Sequence, residues 1–67
     1  MNGALLKSVM VLHGDTIQDL AKFLVITPQS VSAKINERGT EFKQGEIAAI
    51  KERYGLSAEQ VEAIFFN

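Results

Sequence analysis

Apolar positions along this chain come in short groups spaced three and four residues apart, separated by glycine, serine, threonine or proline. That spacing marks one face of an α-helix, and no stretch alternates in the manner of a half-buried strand. The first group runs from about Ala4 to Leu12, with Leu5, Leu6, Val9 and Leu12 expected to point inward. It closes at Gly14, well placed as a glycine just past a helix end. Thr16-Ile17-Gln18-Asp19 reads as a capping box with aspartate in the usual glutamate position. The helix it opens carries Ile17, Leu20, Ala21 and Leu24 on its inner side. Thr27 is a good N-cap and Pro28 has its φ already set for a first helical turn, so a third helix starts there. A loop follows Asn36, in which Phe42 is expected to plug the core. The fourth helix, about Gln44 to Tyr54, carries Ile47, Ile50 and Tyr54 inward and ends at Gly55. Ser57-Ala58-Glu59-Gln60 is a second capping box, opening a last helix with Val61, Ile64 and Phe65 on one side. The pattern predicts an all-α, compact five-helix domain over residues 1–67.

The third helix has little apolar surface. Only Val31 and Ile35, one turn apart, are large and apolar, and they fix its buried edge. Gln29, Ala33 and Asn36 then point nearly opposite, Ser30 and Ser32 flank them, and Lys34 sits towards the boundary. Only Val25 and Ile26 separate Leu24 from the Thr27 cap, so the second and third helices must meet at a steep angle, as in a helix-turn-helix spanning about residues 16–36. Ala21 allows close approach at that corner, and Ile26 can reach back into the core. A narrow face of amide, methyl, hydroxyl and ammonium groups suits the major groove of DNA. Glutamine can pair with an adenine edge, an alanine methyl can touch a thymine methyl, and serine can donate or accept.

Composition narrows the alternatives. A chain of 67 residues is near the lower limit for folding without staples. The absence of cysteine excludes disulfides and thiolate metal sites, and the single histidine, His13, cannot build a metal site alone; it is expected on the surface at a helix C-terminus. A net charge of −1 counts against indiscriminate nucleic-acid binding, so any phosphate-binding surface must be made locally. Lys34, Arg38 and Lys43 supply such a patch, diluted by Glu37 and Glu41. The apolar run Ala4–Leu12 lacks a basic leader and a cleavage site and is too short to span a bilayer, so a soluble cytoplasmic protein is expected. No nucleophile–base constellation or phosphate-cradling glycine loop is present, so neither an enzyme nor a cofactor is expected. Met10, Val11 and Phe66 exceed what a minimal core needs; they either complete it or form a protein interface.

The stretch TIQDLAKFLVITPQSVSAKIN resembles the helix-turn-helix of the lambda-repressor-like family, which includes phage repressors and Cro-type regulators. FKQGEIAAIKERYGLSAEQVEAIFF is similar to the last two helices of small phage-encoded members, so the resemblance covers roughly residues 4 to 66. It implies a transcriptional regulator that binds double-stranded operator DNA, usually as a two-fold dimer across two half-sites. Gln29, Ser30 and Ala33 match positions that face base edges, with Lys34 beside them. Asn36 matches a position near the sugar-phosphate backbone, and Thr16, Gln18, Thr27, Ser32, Arg38, Lys43 and Gln44 complete the expected backbone contacts. The N-termini of the second and fourth helices would offer N–H groups to phosphates. Three positions depart from the family pattern. Ile17 replaces a frequent phosphate-contacting glutamine. Val25 stands where glycine is usual, so the turn is expected to differ in detail. Asp15 replaces an apolar residue, with Leu12 expected to restore the lost core volume. An alternative from another class is a protein-interaction module of the same fold, an antirepressor or co-regulator acting on a second phage regulator.

Overall fold

Helix starts in this chain are set by side chains that accept the backbone N–H groups left over in a first turn. The computed structural model describes residues 1–66 and contains α1 (Gly3–Leu12), α2 (Ile17–Leu24), α3 (Pro28–Ile35), α4 (Gln44–Tyr54) and α5 (Ala58–Phe65), with no strand among the described residues. Asn2 caps α1 by accepting the Leu5 N–H at 3.0 Å. Thr16 and Asp19 form the reciprocal box at α2, Thr27 accepts the Ser30 N–H at 3.1 Å, and Ser57 and Gln60 form the box at α5. Helix α4 differs: its cap residue is Lys43, whose ammonium offers no acceptor to the first turn.

The ends of α1 to α4 share one solution. In each, a residue in the left-handed region turns the chain so that the next N–H reaches back to a carbonyl five residues earlier, satisfying acceptors the last turn leaves over. The pairs are Asp15 to Met10, Ile26 to Ala21, Arg38 to Ala33 and Leu56 to Lys51, at 2.8 to 3.0 Å. The left-handed residues are Gly14, Val25, Glu37 and Gly55, with φ of 70°, 59°, 53° and 61°. Glycine holds this conformation without penalty at two of the four sites; valine and glutamate hold it at the other two. The turn after α2 therefore keeps the backbone a glycine would adopt, contrary to the expectation that it would differ, and Val25 carries the strain.

Side chains from every helix meet in one core. Leu6 and Met10 of α1, Leu20 and Ala21 of α2, Val31 and Ile35 of α3, Ile50 and Tyr54 of α4 and Ile64 of α5 are buried, closed by Phe42 and Leu56 from the loops. Phe42 meets Phe65 edge to face, with ring centroids 5.8 Å apart. Helix α1 rotates differently from the expected register. Its inward stripe is Leu6, Val9 and Met10, so Met10 belongs to the core rather than to an interface, whereas Leu12 is 82% exposed and contributes no core volume. Leu5 sits at the boundary. Its first residue, Gly3, lies against the end of α3, where a Cβ would fall 2.9 Å from the Ile35 carbonyl oxygen. The Asn2 N–H donates to the Ile64 carbonyl, tying the start of α1 to α5.

Asp15 does not leave a hole where an apolar residue was expected. Its carboxylate accepts from Arg53 Nε at 2.6 Å and from Tyr54 Oη at 2.7 Å, joining the α1–α2 corner to the end of α4. Arg53 also lies over the Phe23 ring at 4.6 Å. The Arg53 hydrogen bond holds the Asp15 carboxyl below its ordinary value, aided by Tyr54 against a smaller opposing effect of burial. Burial and the Asp15 charge both push the Tyr54 phenol above its ordinary value.

Candidate nucleic-acid interface

Helices α2 and α3 pack more extensively on each other than any other pair, with Ala21 fully buried at their corner and Ile26 packed against the core. This contact sets how α3 is presented. Val31 and Ile35 are buried, and Gln29 and Asn36 on the far side are exposed, while Ser30, Ser32 and Ala33 are half-buried between them. Gln29 forms no side-chain hydrogen bond among the described residues and presents its amide on the exposed side.

Several polar groups of the expected contact set are already engaged. Asn36 Nδ2 donates to the Ser32 carbonyl oxygen at 2.9 Å, so this amide folds back along its own helix. Thr16 Oγ1 accepts the Asp19 N–H and donates to Asp19 Oδ2, which commits the hydroxyl to the cap. Thr27 Oγ1 accepts from Ser30 but retains its own proton for an outside acceptor. Gln18, Arg38, Lys43 and Gln44 are exposed, and Arg38 and Lys43 form no ion pair among the described residues.

Lys34 departs from expectation. It is 6% exposed, and its ammonium donates to Glu46 Oε1 at 2.9 Å, crossing from α3 to the first turn of α4. The same Glu46 oxygen accepts the Lys43 N–H at 2.9 Å. In this arrangement the Lys34 ammonium faces Glu46 and not the open side of α3, contrary to its expected place among the base contacts. Spacing alone placed it at the helix boundary; the acid twelve residues later that draws it inward was the missing signal. Burial raises the Glu46 carboxyl, but the Lys43 N–H and the Lys34 ammonium outweigh that and hold it below its ordinary value. The pair neutralises the one acid in the first turn of α4, where Lys43 leaves the N–H groups without a side-chain acceptor. The start of α2 is instead occupied by Asp19, whose carboxyl is lowered mainly by the Thr16 N–H it accepts.

The surface around α3 thus has a polar, uncharged ridge of Gln29, Ser30, Ala33 and Asn36, with Arg38 and Lys43, which form no ion pair among the described residues, towards the α3–α4 side. Among the described residues no group of three or more histidine, aspartate or glutamate side chains is arranged to hold a metal ion, and no helix is long and apolar enough to cross a membrane. No family model, no curated protein and no solved structure matches the chain.

Proposed function

We propose that the protein is a sequence-specific DNA-binding regulator of the helix-turn-helix kind, with α3 lying in the major groove of an operator and Gln29, Ser30 and Ala33 meeting base edges. The observation that carries this reading is the division of α3 into a buried Val31–Ile35 edge and an open Gln29–Asn36 side. A helix with an apolar anchor and an uncharged hydrogen-bonding ridge fits a groove whose edges are read by amide, hydroxyl and methyl groups. Arg38, Lys43 and the uncapped start of α4 serve phosphates, with Gln18, Thr27, Gln44 and the exposed Asn36 as neutral partners. Thr16 and Ser32 contribute through position more than through free hydroxyls. The protein acts by occupying its operator and blocking or redirecting polymerase, with two copies on two half-sites.

Selection from a random duplex library, followed by sequencing of the retained fraction, tests this reading: a consensus, with Gln29→Ala relaxing preference at one position by about 1–3 kcal/mol, is expected. Equal losses on every sequence from Gln29→Ala, or no retained consensus, would contradict base readout. A second reading, a protein-interaction module acting on another regulator, is favoured by Val11, Leu12 and Val25, large apolar side chains open to solvent. It predicts a stable complex with that regulator and no DNA retention even at low salt.

A further inference from the structure

Two exposed features of the chain, one concave and one projecting, carry opposite local charge. The first is a groove of about 410 Å³ between the end of α2 and the start of α4, lined by Phe23, Leu24, Lys43, Gly45, Glu46 and Ala49. It is hollow because Gly45 and Ala49, one turn apart on α4, supply almost no side-chain volume; a Cβ at Gly45 would meet nothing within 4 Å. Phe23 lies along it with 42% of its surface exposed, backed by the Arg53 guanidinium. Its acid, Glu46, is neutralised by Lys34, whereas Lys43 forms no ion pair among the described residues. The groove is therefore apolar with a positive rim.

The second feature is a knob at the end of α5. Phe66 is 67% exposed and shares a shallow depression with Glu59, Glu62 and Ala63. Helix α5 carries these two acids and no cation, so the aromatic ring projects from a negative surface. An exposed phenyl group beside carboxylates is what an apolar groove rimmed by lysine accepts, burying the ring while opposite charges meet around it.

We propose that Phe66 of one copy seats in the Phe23–Ala49 groove of a second copy, with Glu59 and Glu62 facing Lys43. The contact is heterologous: the surface given by one chain differs from the surface received by the other. It shares Lys43 with the phosphate contacts proposed above, but it is measured without DNA, so its outcome does not depend on that reading. Sedimentation over a concentration series is expected to show self-association that weakens with added salt. Phe66→Ser removes the knob and Gly45→Leu fills the groove; each weakens association about tenfold, as loss of a buried aromatic anchor does. Mixing the two variants restores a one-to-one complex, because the intact Phe66 of one meets the intact groove of the other. Both substitutions lie at open surface and leucine favours a helix over glycine, so circular dichroism should show both folded. Lys43→Glu mixed with Glu62→Lys gives a second, charge-based rescue. A wild-type chain that stays monomeric at every concentration, association indifferent to both variants, or mixtures that fail to recover would each overturn the proposal.

Discussion

Val25 holds φ 59° and ψ 44° with 87% of its surface exposed, so glycine at this position removes strain and almost no packing. The left-handed conformation costs an L-residue roughly 1–2 kcal/mol, and a β-branched side chain belongs at the upper end. Against this, glycine makes the unfolded chain more disordered, an effect of about 0.4–1 kcal/mol. The covered fraction of the side chain amounts to only about 0.3 kcal/mol of lost burial. Val25→Gly should therefore stabilise the protein by ~0.5–1 kcal/mol, raising the melting temperature by about 3–6 °C for a domain of this size. Urea unfolding followed by circular dichroism is the assay, with an unchanged m-value as the sign that only stability moved. Gly14 and Gly55 are internal controls, since they occupy the same place in the same motif at φ 70° and 61°. Gly55→Ala should lose about as much as Val25→Gly gains. If Gly55→Ala is destabilising while Val25→Gly is neutral or harmful, the strain assigned to Val25 is not there. Val25→Asn sharpens the comparison, because asparagine tolerates the left-handed region without loosening the unfolded chain as much as glycine.

Other consequences follow from the buried contacts. Gly3→Ala should cost about 1 kcal/mol despite the better helix propensity of alanine, because the new Cβ would meet the Ile35 carbonyl oxygen at 2.9 Å; a thermal melt reads this. Lys34→Ala should cost about 3 kcal/mol by stranding Glu46, and Lys34→Met less, because it keeps the buried stem. The Glu46 carboxyl titrates lower in the folded chain than unfolded, so its contribution is complete above its ordinary value of 4.5 and fades as pH falls through the folded value; carboxyl carbon NMR should show Glu46 titrating higher in Lys34→Met. The only tyrosine, Tyr54, should ionise late in alkali and return towards its ordinary value of 10.0 in Asp15→Asn, as followed by tyrosinate absorbance.

Local chemistry made the helices readable. Thr16, Thr27 and Ser57 announce helix starts through a hydroxyl at the right distance from an N–H, and Gly14 and Gly55 announce ends through a conformation glycine adopts freely. The same rules miss what distant partners decide. Val25 and Glu37 turn the chain as glycine would, because the packing of the helices on either side fixes the backbone whatever residue sits there. In α1, Leu12 and Met10 are equally plausible inward residues by spacing, and contact with the other helices selects Met10. Asp15 looked like lost core volume; its partners Arg53 and Tyr54 lie nearly forty positions away, beyond any local pattern.

Lys34 has the widest functional consequence. Read along the helix, it adds a third cation beside the ridge that would face DNA; paired with Glu46, it leaves only Arg38 and Lys43 among the three expected cations. Binding affinity for duplex DNA falls with salt in proportion to the phosphates neutralised, with a logarithmic slope of about −0.9 per phosphate. Two cations correspond to a slope of about −1.8 per copy, shallow for a DNA-binding protein, so discrimination would rest on the uncharged ridge of Gln29, Ser30 and Ala33. Retention of a selected duplex across a salt series measures this slope directly. Lys43→Ala should reduce it by about 0.9, and Lys34→Met should leave it unchanged once the variant is confirmed folded. A wild-type slope near −2.7 that falls in Lys34→Met would mean that Lys34 abandons Glu46 for a phosphate on binding, and the buried pair would then be a feature of the free protein alone.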